Sequence, residues 1–400
     1  MTPRVLVAAL CVAFPVFSIP AQDAAAKDPA PQGWTKTQQR GVDFLLGKQE
    51  HGVFSVRHGE RSFPHAGFTS LAIAAIQSKP RALRTEAEQA VIDKGLTWVI
   101  AQQNDDGSIG RSTPNYTTCA AVMALSRWHD DKRMPVLKKA QRYVLAIQKF
   151  EQNGTARSDV EYGGVGYGSK GERSDLSNMQ FAIAALRESG LETDHEAFQR
   201  ALVFLQRTQN LKSVNDLSGK LDITTGEDAT AKLSVGDDGG AVYYPGESPA
   251  GYVVHPDGSA TPRSYGSMTY ALLKTYTLCG VKKDDPRVQA AVKWIRGNWT
   301  VEENPGVDPK LGENERFQGL FYYYMLMGQA LDATGIDTIA QQGGDGGEVK
   351  VDWRKQLRAQ LEGMQRDDGA WVNDKNGRWY ENLDVLCTCY ALIALGYCGG

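Results

Sequence analysis

The stretch KGLTWVIAQQNDDGSIGRSTPNYTTCAAVMAL, Lys94 to Leu125, decides the fold. It reads as a helix, a turn carrying Gly107, and a second helix rich in small and apolar residues. Lys94-Gly95, Trp98-Val99 and Gln103 stand at relative positions 1, 2, 5, 6 and 10 of the first helix. The same offsets recur from Arg40-Gly41 to Gln49, from Lys139-Ala140 to Gln148 and from Arg200-Ala201 to Gln209. Two further copies drift. Ala290-Ala291 leads to Trp299 in place of the glutamine, and the copy from Trp353 to Gln365 has Gln360 at its aromatic position.

Each copy is followed by a glycine turn and a second helix. The turns include Gly52-Val53-Phe54, Gly163-Gly164-Val165, Gly239-Gly240-Ala241 and Gly369-Ala370-Trp371. Glycine permits the positive φ that turns a chain at a helix C-terminus. The second helices, FTSLAIAAI from Phe68, TTCAAVMAL from Thr117, NMQFAIAAL from Asn178, SMTYALLKT from Ser267, GLFYYYMLM from Gly319 and CTCYALIAL from Cys387, are apolar almost all round. Such helices are buried on every side, whereas the Lys, Arg and Gln of the first helices suit an outer layer. Alternating outer and inner helices predict an all-α, (α/α)6 toroid of six helical hairpins over residues 38–400. The chain runs out just after the sixth apolar helix, which favours closure onto the first copy over an open solenoid. Residues 210–236, 243–263, 300–315 and 336–350 are then rim loops or insertions. Gly343-Gly344-Asp345-Gly346-Gly347 lacks the context of a phosphate loop and reads as a flexible link.

The N-terminus reads separately. Arg4, the apolar run Val5 to Ile19 and the small residues up to Ala26 have the form of a secretory signal peptide, residues 1–26, followed by a polar linker, 27–37. Export to the periplasm or outside the cell is therefore expected, with no membrane span in the mature chain. A net charge of −3 offers no electrostatic basis for binding nucleic acid. Cys119, Cys279, Cys387, Cys389 and Cys398 are odd in number and irregularly placed, so most read as small buried residues.

The repeat resembles the one shared by squalene and other terpenoid cyclases and by protein prenyltransferase β subunits. Gln365, Gly369 and Trp371 match its Gln and Gly-x-Trp half in full, and Gln103, Gly107 and Ile109 match it with the Trp replaced. The resemblance runs over nearly all of residues 38–397 and implies a toroid whose inner helices surround a cavity. The catalytic motifs of that family, an acidic D-x-D-D, a D-D-x-x-D and the zinc-binding D-x-C with its distant His, are absent from this sequence. No metal and no cofactor are expected.

Function must then reside at the mouth of the ring, just before the inner helices. His65, Asp175, Arg316 and Asp384 occupy equivalent positions there. Two readings compete. An aspartate at that place caps its helix; alternatively, His65, Asp175 and Asp384 supply acid and base groups while Arg316 clamps an anion. Tyr265, Tyr323 and Phe181 are candidates for an aromatic wall around an apolar ligand, with interlayer packing as the plainer role. The leading expectation is an exported toroid that binds an isoprenoid or other lipid-like molecule. An exported polysaccharide lyase or hydrolase, and a scaffold presenting its rim loops to a protein partner, are the alternatives.

Overall fold

A computed structural model describes residues 33–58, 61–168, 172–226, 229–342 and 347–399. Residues 1–32, which include the expected leader and most of the linker, lie outside them. The helices, in chain order, are α1 (Lys36–Lys48), α2 (Ala66–Ile76), α3 (Glu86–Ile100), α4 (Pro114–Ser126), α5 (Arg133–Ile147) and α6 (Leu176–Glu188). They continue as α7 (Glu196–Thr208), α8 (Gly266–Leu278), α9 (Pro286–Gly297), α10 (Leu320–Thr334), α11 (Trp353–Met364) and α12 (Asp384–Tyr397). Local chemistry sets their starts. Thr35 with Gln38 and Thr85 with Glu88 form reciprocal capping boxes on α1 and α3. Pro114 and Pro286 occupy first turns, where a missing N–H costs nothing.

The even-numbered helices form the inner ring. Each packs on the next, α2 on α4 through to α10 on α12, and α12 packs back on α2. The toroid is closed. Odd-numbered helices lie outside; α1, for example, sits against both α12 and α2, and α5 against both α4 and α6. The aromatic at position 5 fills the gap between layers: Phe44, Tyr143, Phe204 and Trp294 are buried.

The repeat residues make the joints between hairpins. Gln148 Nε2 donates to the carbonyl of turn residue Gly163 at 3.0 Å and to that of Ala197 in α7 at 2.9 Å. Gln103 joins Gly107 to Val136 of α5, Gln209 joins Gly239 to Arg287 of α9, and Gln365 joins Gly369 to Thr37 of α1. These four glutamines thus tie their own turn to the first turn of the next outer helix, whereas Gln49 of the first copy donates to the Leu46 carbonyl at its own helix end at 3.3 Å. In the fifth copy Trp299 Nε1 donates to Gln356 of α11 at 2.8 Å, so the indole replaces the amide. The first joint differs again: Gln39 Nε2 donates to Glu88 of α3, which also pairs with the buried Lys79 at 2.8 Å.

Positions 1 and 2 receive the preceding turn. A Cβ on Gly369 (φ +88°) would lie 2.5 Å from the Arg40 carbonyl, and one on Gly41 would meet the Trp371 ring at 2.8 Å. Only glycine fits the first of these, and only a small residue the second.

The insertions carry short antiparallel β-hairpins. Asp222–Thr224 pairs with Thr230–Lys232, and Tyr252–Val254 with Ala260–Pro262, over a small separate core of Leu217, Ile223, Leu233, Val235 and Ala260. Thr338–Gln342 pairs with Glu348–Asp352. The glycine-rich stretch falls between these last two strands, and its residues 343–346 lie outside those described. No helix among the described residues is long and apolar enough to cross a membrane.

Candidate functional site

The mouth of the ring is built from helix caps. Asp175 is buried before α6; its Oδ1 accepts from Asn178 N at 2.7 Å and its Oδ2 from Asn178 Nδ2 at 2.8 Å. Burial pushes its carboxyl up to about 6, against the hydrogen bonds from Asn178 and from the Tyr243 hydroxyl. His65 Nδ1 accepts from Phe68 N at 3.3 Å, which caps α2, and burial lowers the imidazole's pKa. Asn304 caps α8 by accepting from Ser267 N at 2.9 Å. Glu381, buried, caps α10 by accepting from Tyr322 N at 2.8 Å.

The other two mouth candidates have different partners. Asp384 pairs with Lys48 at 3.2 Å, and both side chains are more than a third exposed. Arg316 lies in a short 3-10 turn, half-exposed, with Nε 3.5 Å from Glu303 and its guanidinium over the Phe317 ring. Among the described residues, no hydrogen bond or ion pair links His65, Asp175, Arg316 and Asp384 to one another. Each is held by a partner of its own. The arginine whose charge reaches Tyr265 is Arg378, which the sequence reading passed over.

What the ring does bring together is a file of aromatic rings. Tyr116 of α4 meets Phe181 of α6 edge-on, with centroids 5.1 Å apart. Phe181 stacks with Tyr322 of α10 at 6.3 Å, and Tyr322 tilts against Tyr390 of α12 at 5.8 Å. Tyr167 extends the file beyond Tyr116 at 5.5 Å. Because α8 stands between α6 and α10 in the ring, the Phe181–Tyr322 contact reaches across the interior. Tyr116, Tyr167, Tyr322 and Tyr390 keep partial solvent exposure although they project from or abut buried helices.

The hydroxyls of Tyr116 and Tyr322 are already engaged. Tyr116 Oη donates to Ser177 Oγ at 2.6 Å, the Ser177 and Tyr322 hydroxyls share a bond of 2.7 Å, and Gln180 Nε2 donates to Tyr322 Oη at 3.0 Å. Of the consecutive tyrosines 322–324, only Tyr322 belongs here. Tyr323, expected in the wall, is fully buried, packs on Tyr270 and donates to the Thr300 carbonyl at 2.7 Å; Tyr324 donates to Val301. Successive helical residues diverge by about 100°, so one of the three faces inward and the others serve the layer contact. Tyr265 is buried, and burial, followed by the influence of Tyr322 and Asp175, raises its hydroxyl pKa.

A polar tier adjoins the file. Lys274 of α8 donates from Nζ to Gln180 Oε1 at 2.8 Å and to Gln329 Oε1 of α10 at 2.7 Å. The sequence signal was present and unused: one lysine in an otherwise apolar inner helix, SMTYALLKT. Two surface hollows of about 420 Å³ lie elsewhere, against α7; one includes Gln199, Leu202 and Arg287, the other Val203, Gln206 and Asp216. Neither contains a residue of the aromatic file. The five cysteines among the described residues are buried and unpaired, and burial raises their thiols.

Residues 74–216 match the squalene-hopene cyclase C-terminal domain family. Within that stretch the repeats are similar to those of squalene-hopene cyclases. No curated protein matches the sequence. Among solved structures, a family 76 glycoside hydrolase from a bovine Bacteroides thetaiotaomicron strain superposes with a TM-score of 0.52 at 11% identity, covering 90% of this chain and 77% of its own. The type II terpene cyclase MstE from Scytonema gives 0.48 at 11% identity, covering 90% and 96%. At such identities the likeness concerns the fold alone.

Proposed function

We propose that this protein is an exported toroid that binds an isoprenoid or other lipid-like ligand against Tyr116, Phe181, Tyr322 and Tyr390. The observation that carries the reading is the aromatic file across the ring interior, whose members α4, α6, α10 and α12 supply. Because Ser177 and Gln180 engage the hydroxyls of Tyr116 and Tyr322, these rings offer their apolar faces to a guest. Aromatic rings with satisfied hydroxyls bind apolar chains without leaving a polar group unpaired. The squalene-cyclase-like repeats favour the same ligand class.

Binding is favoured over acid–base catalysis. Both Asp175 oxygens accept hydrogen bonds, and Asp384 is tied to Lys48 at a more exposed position. A hydrolase of the two-carboxylate type needs a pair facing one substrate. Export rests on the leader-like residues 1–26, and N-terminal sequencing of the mature protein tests it. The ligand reading is tested by native mass spectrometry after incubation with a lipid extract and, separately, with oligosaccharides. Retention of a lipid species, lost on Tyr322→Ala with Tyr390→Ala, is expected. Retention of an oligosaccharide, or of nothing, overturns the reading.

A further inference from the structure

Lys274 poses an energetic problem that the fold alone does not answer. Lys274 is only 5% exposed, deep on an inner helix, yet both of its hydrogen-bond acceptors are neutral amides. Among the described residues no carboxylate forms an ion pair with it. A buried ammonium costs several kcal/mol unless a counter-charge meets it, and an apolar side chain of similar volume would be more stabilising.

The charged groups around Lys274 act on it through space and not by contact. Glu188, at the end of α6, and Arg127, just after α4, are the charged groups that act on Lys274 through space. Burial pushes the Glu188 carboxyl toward its neutral form. Burial lowers Lys274 itself to about 8, so it stays mostly protonated at neutral pH. Neither hydrogen-bond acceptor of the ammonium is a carboxylate.

Position matters as much as charge. Lys274 stands eight residues beyond Gly266, the first residue of α8, or roughly 12 Å along the axis. Gln180 touches both tiers: its Oε1 accepts from Lys274 and its Nε2 donates to Tyr322. One guest could therefore lie on the aromatic file and end at the ammonium.

We infer that Lys274 receives the carboxylate of an amphiphilic ligand whose apolar chain lies against Phe181, Tyr322 and Tyr390. The inference rests on the apolar-ligand reading above and names the ligand's polar end. A monoanion matches the single charge of the Lys274 ammonium, whereas a dianionic phosphate would leave negative charge stranded beside aromatic walls. An ammonium held by two neutral amides keeps its charge available to that carboxylate.

The test compares farnesoic acid with farnesol, which share a chain and differ in the end group. Each is titrated at pH 7 into the mature full-length protein and followed by native mass spectrometry and intrinsic fluorescence. The acid is expected to bind at least 10-fold more tightly, and Lys274→Met to bring it level with the alcohol while farnesol binding is kept. Lys274→Arg, which keeps the charge, should retain a preference for the acid. Equal affinities in the wild type overturn the assignment, as does a preference that survives in a folded Lys274→Met. The wild-type comparison decides the matter even where that variant fails to fold. Parity of acid and alcohol sinks only the role of Lys274; binding of neither sinks the apolar-ligand reading with it.

Discussion

Glu381 accepts the backbone N–H of Tyr322, so the helix that sends a ring across the interior starts on a buried carboxylate from the next hairpin. Asn373 Nδ2 also donates to it, at 2.8 Å. These bonds favour the ionised form, yet burial outweighs them and raises the carboxyl from 4.5 to about 7. A folded pKa above the unfolded one means that folding takes up a proton. The stability contribution is complete below about 4.5 and is lost as pH rises through about 7, by no more than roughly 3 kcal/mol. Glu381→Gln can still cap with its Oε1 and has no proton to exchange. The wild type should therefore lose stability relative to Glu381→Gln between pH 5 and pH 8 in urea melts. A constant difference across that range would show that the carboxyl does not titrate there.

Asp175 follows the same sign over its own window, from 3.8 to about 6. Asp175→Asn should fold and gain on the wild type as pH rises, whereas Asp175→Ala should lose about 1–2 kcal/mol through its missing cap. Asp384→Asn breaks a partly exposed pair with Lys48 and should stay within about 0.5 kcal/mol of the wild type. Thermal melts of the three at pH 5 and pH 8 separate these cases. Unfolding of Asp175→Asn would assign the ionised carboxylate a structural role that the amide cannot fill.

The joint glutamines should differ among themselves. Gln209 is fully buried, donates to Gly239 and Arg287, and accepts from Tyr276 Oη at 2.9 Å. Gln209→Ala strands the Tyr276 hydroxyl and two carbonyls, and should cost roughly 2–4 kcal/mol. Gln103 is only half-buried, so water can replace its amide and Gln103→Ala should cost about 1 kcal/mol. Chemical denaturation of both variants gives the ranking, and the reverse order would contradict this account of the joint.

Turn glycines offer a sharper contrast. Gly163 (φ +81°) lies against the Arg200 carbonyl, whereas Gly154 (φ +87°) has open space where a Cβ would go. Both alanine substitutions incur left-handed strain of about 1–2 kcal/mol. Gly163→Ala must also displace backbone of the next outer helix, for a total of roughly 3–4 kcal/mol. Similar midpoints for the two variants would mean that the joint yields easily.

The ring was legible in the sequence because its joints are made by the repeated residues themselves. Gly41 and Gly95 are small because a turn or its aromatic presses on them, and the glutamines are spaced to reach the next hairpin. Even the drift has a reason: Trp299 supplies an N–H, and Gln360 at the aromatic position donates to Tyr324 Oη at 3.3 Å. The site was less legible. Equivalent positions at the mouth carry His65, Asp175, Arg316 and Asp384, but the loop packed over each one decides whether it caps, pairs or points outward. Loop geometry has no period to read. Glu381 and Asn304 cap their helices from loop segments whose register the repeat does not set. Lys274 is a single polar residue in an otherwise apolar helix, and the two amides that meet it come from other hairpins, α6 and α10.

The joints are alike in chemistry and unlike in chain topology. The second donation of Gln103, Gln148 and Gln209 spans 33, 49 and 78 residues, while that of Gln365 to Thr37 spans 328. Loop-closure entropy grows with the logarithm of length, so the last bond meets an entropic handicap of about 2 kcal/mol relative to the first. The hairpins can therefore dock in chain order into an open horseshoe, and the meeting of α11 with α1 completes the circle last. The seam that forms last is also the one whose amides should exchange first in deuterated water.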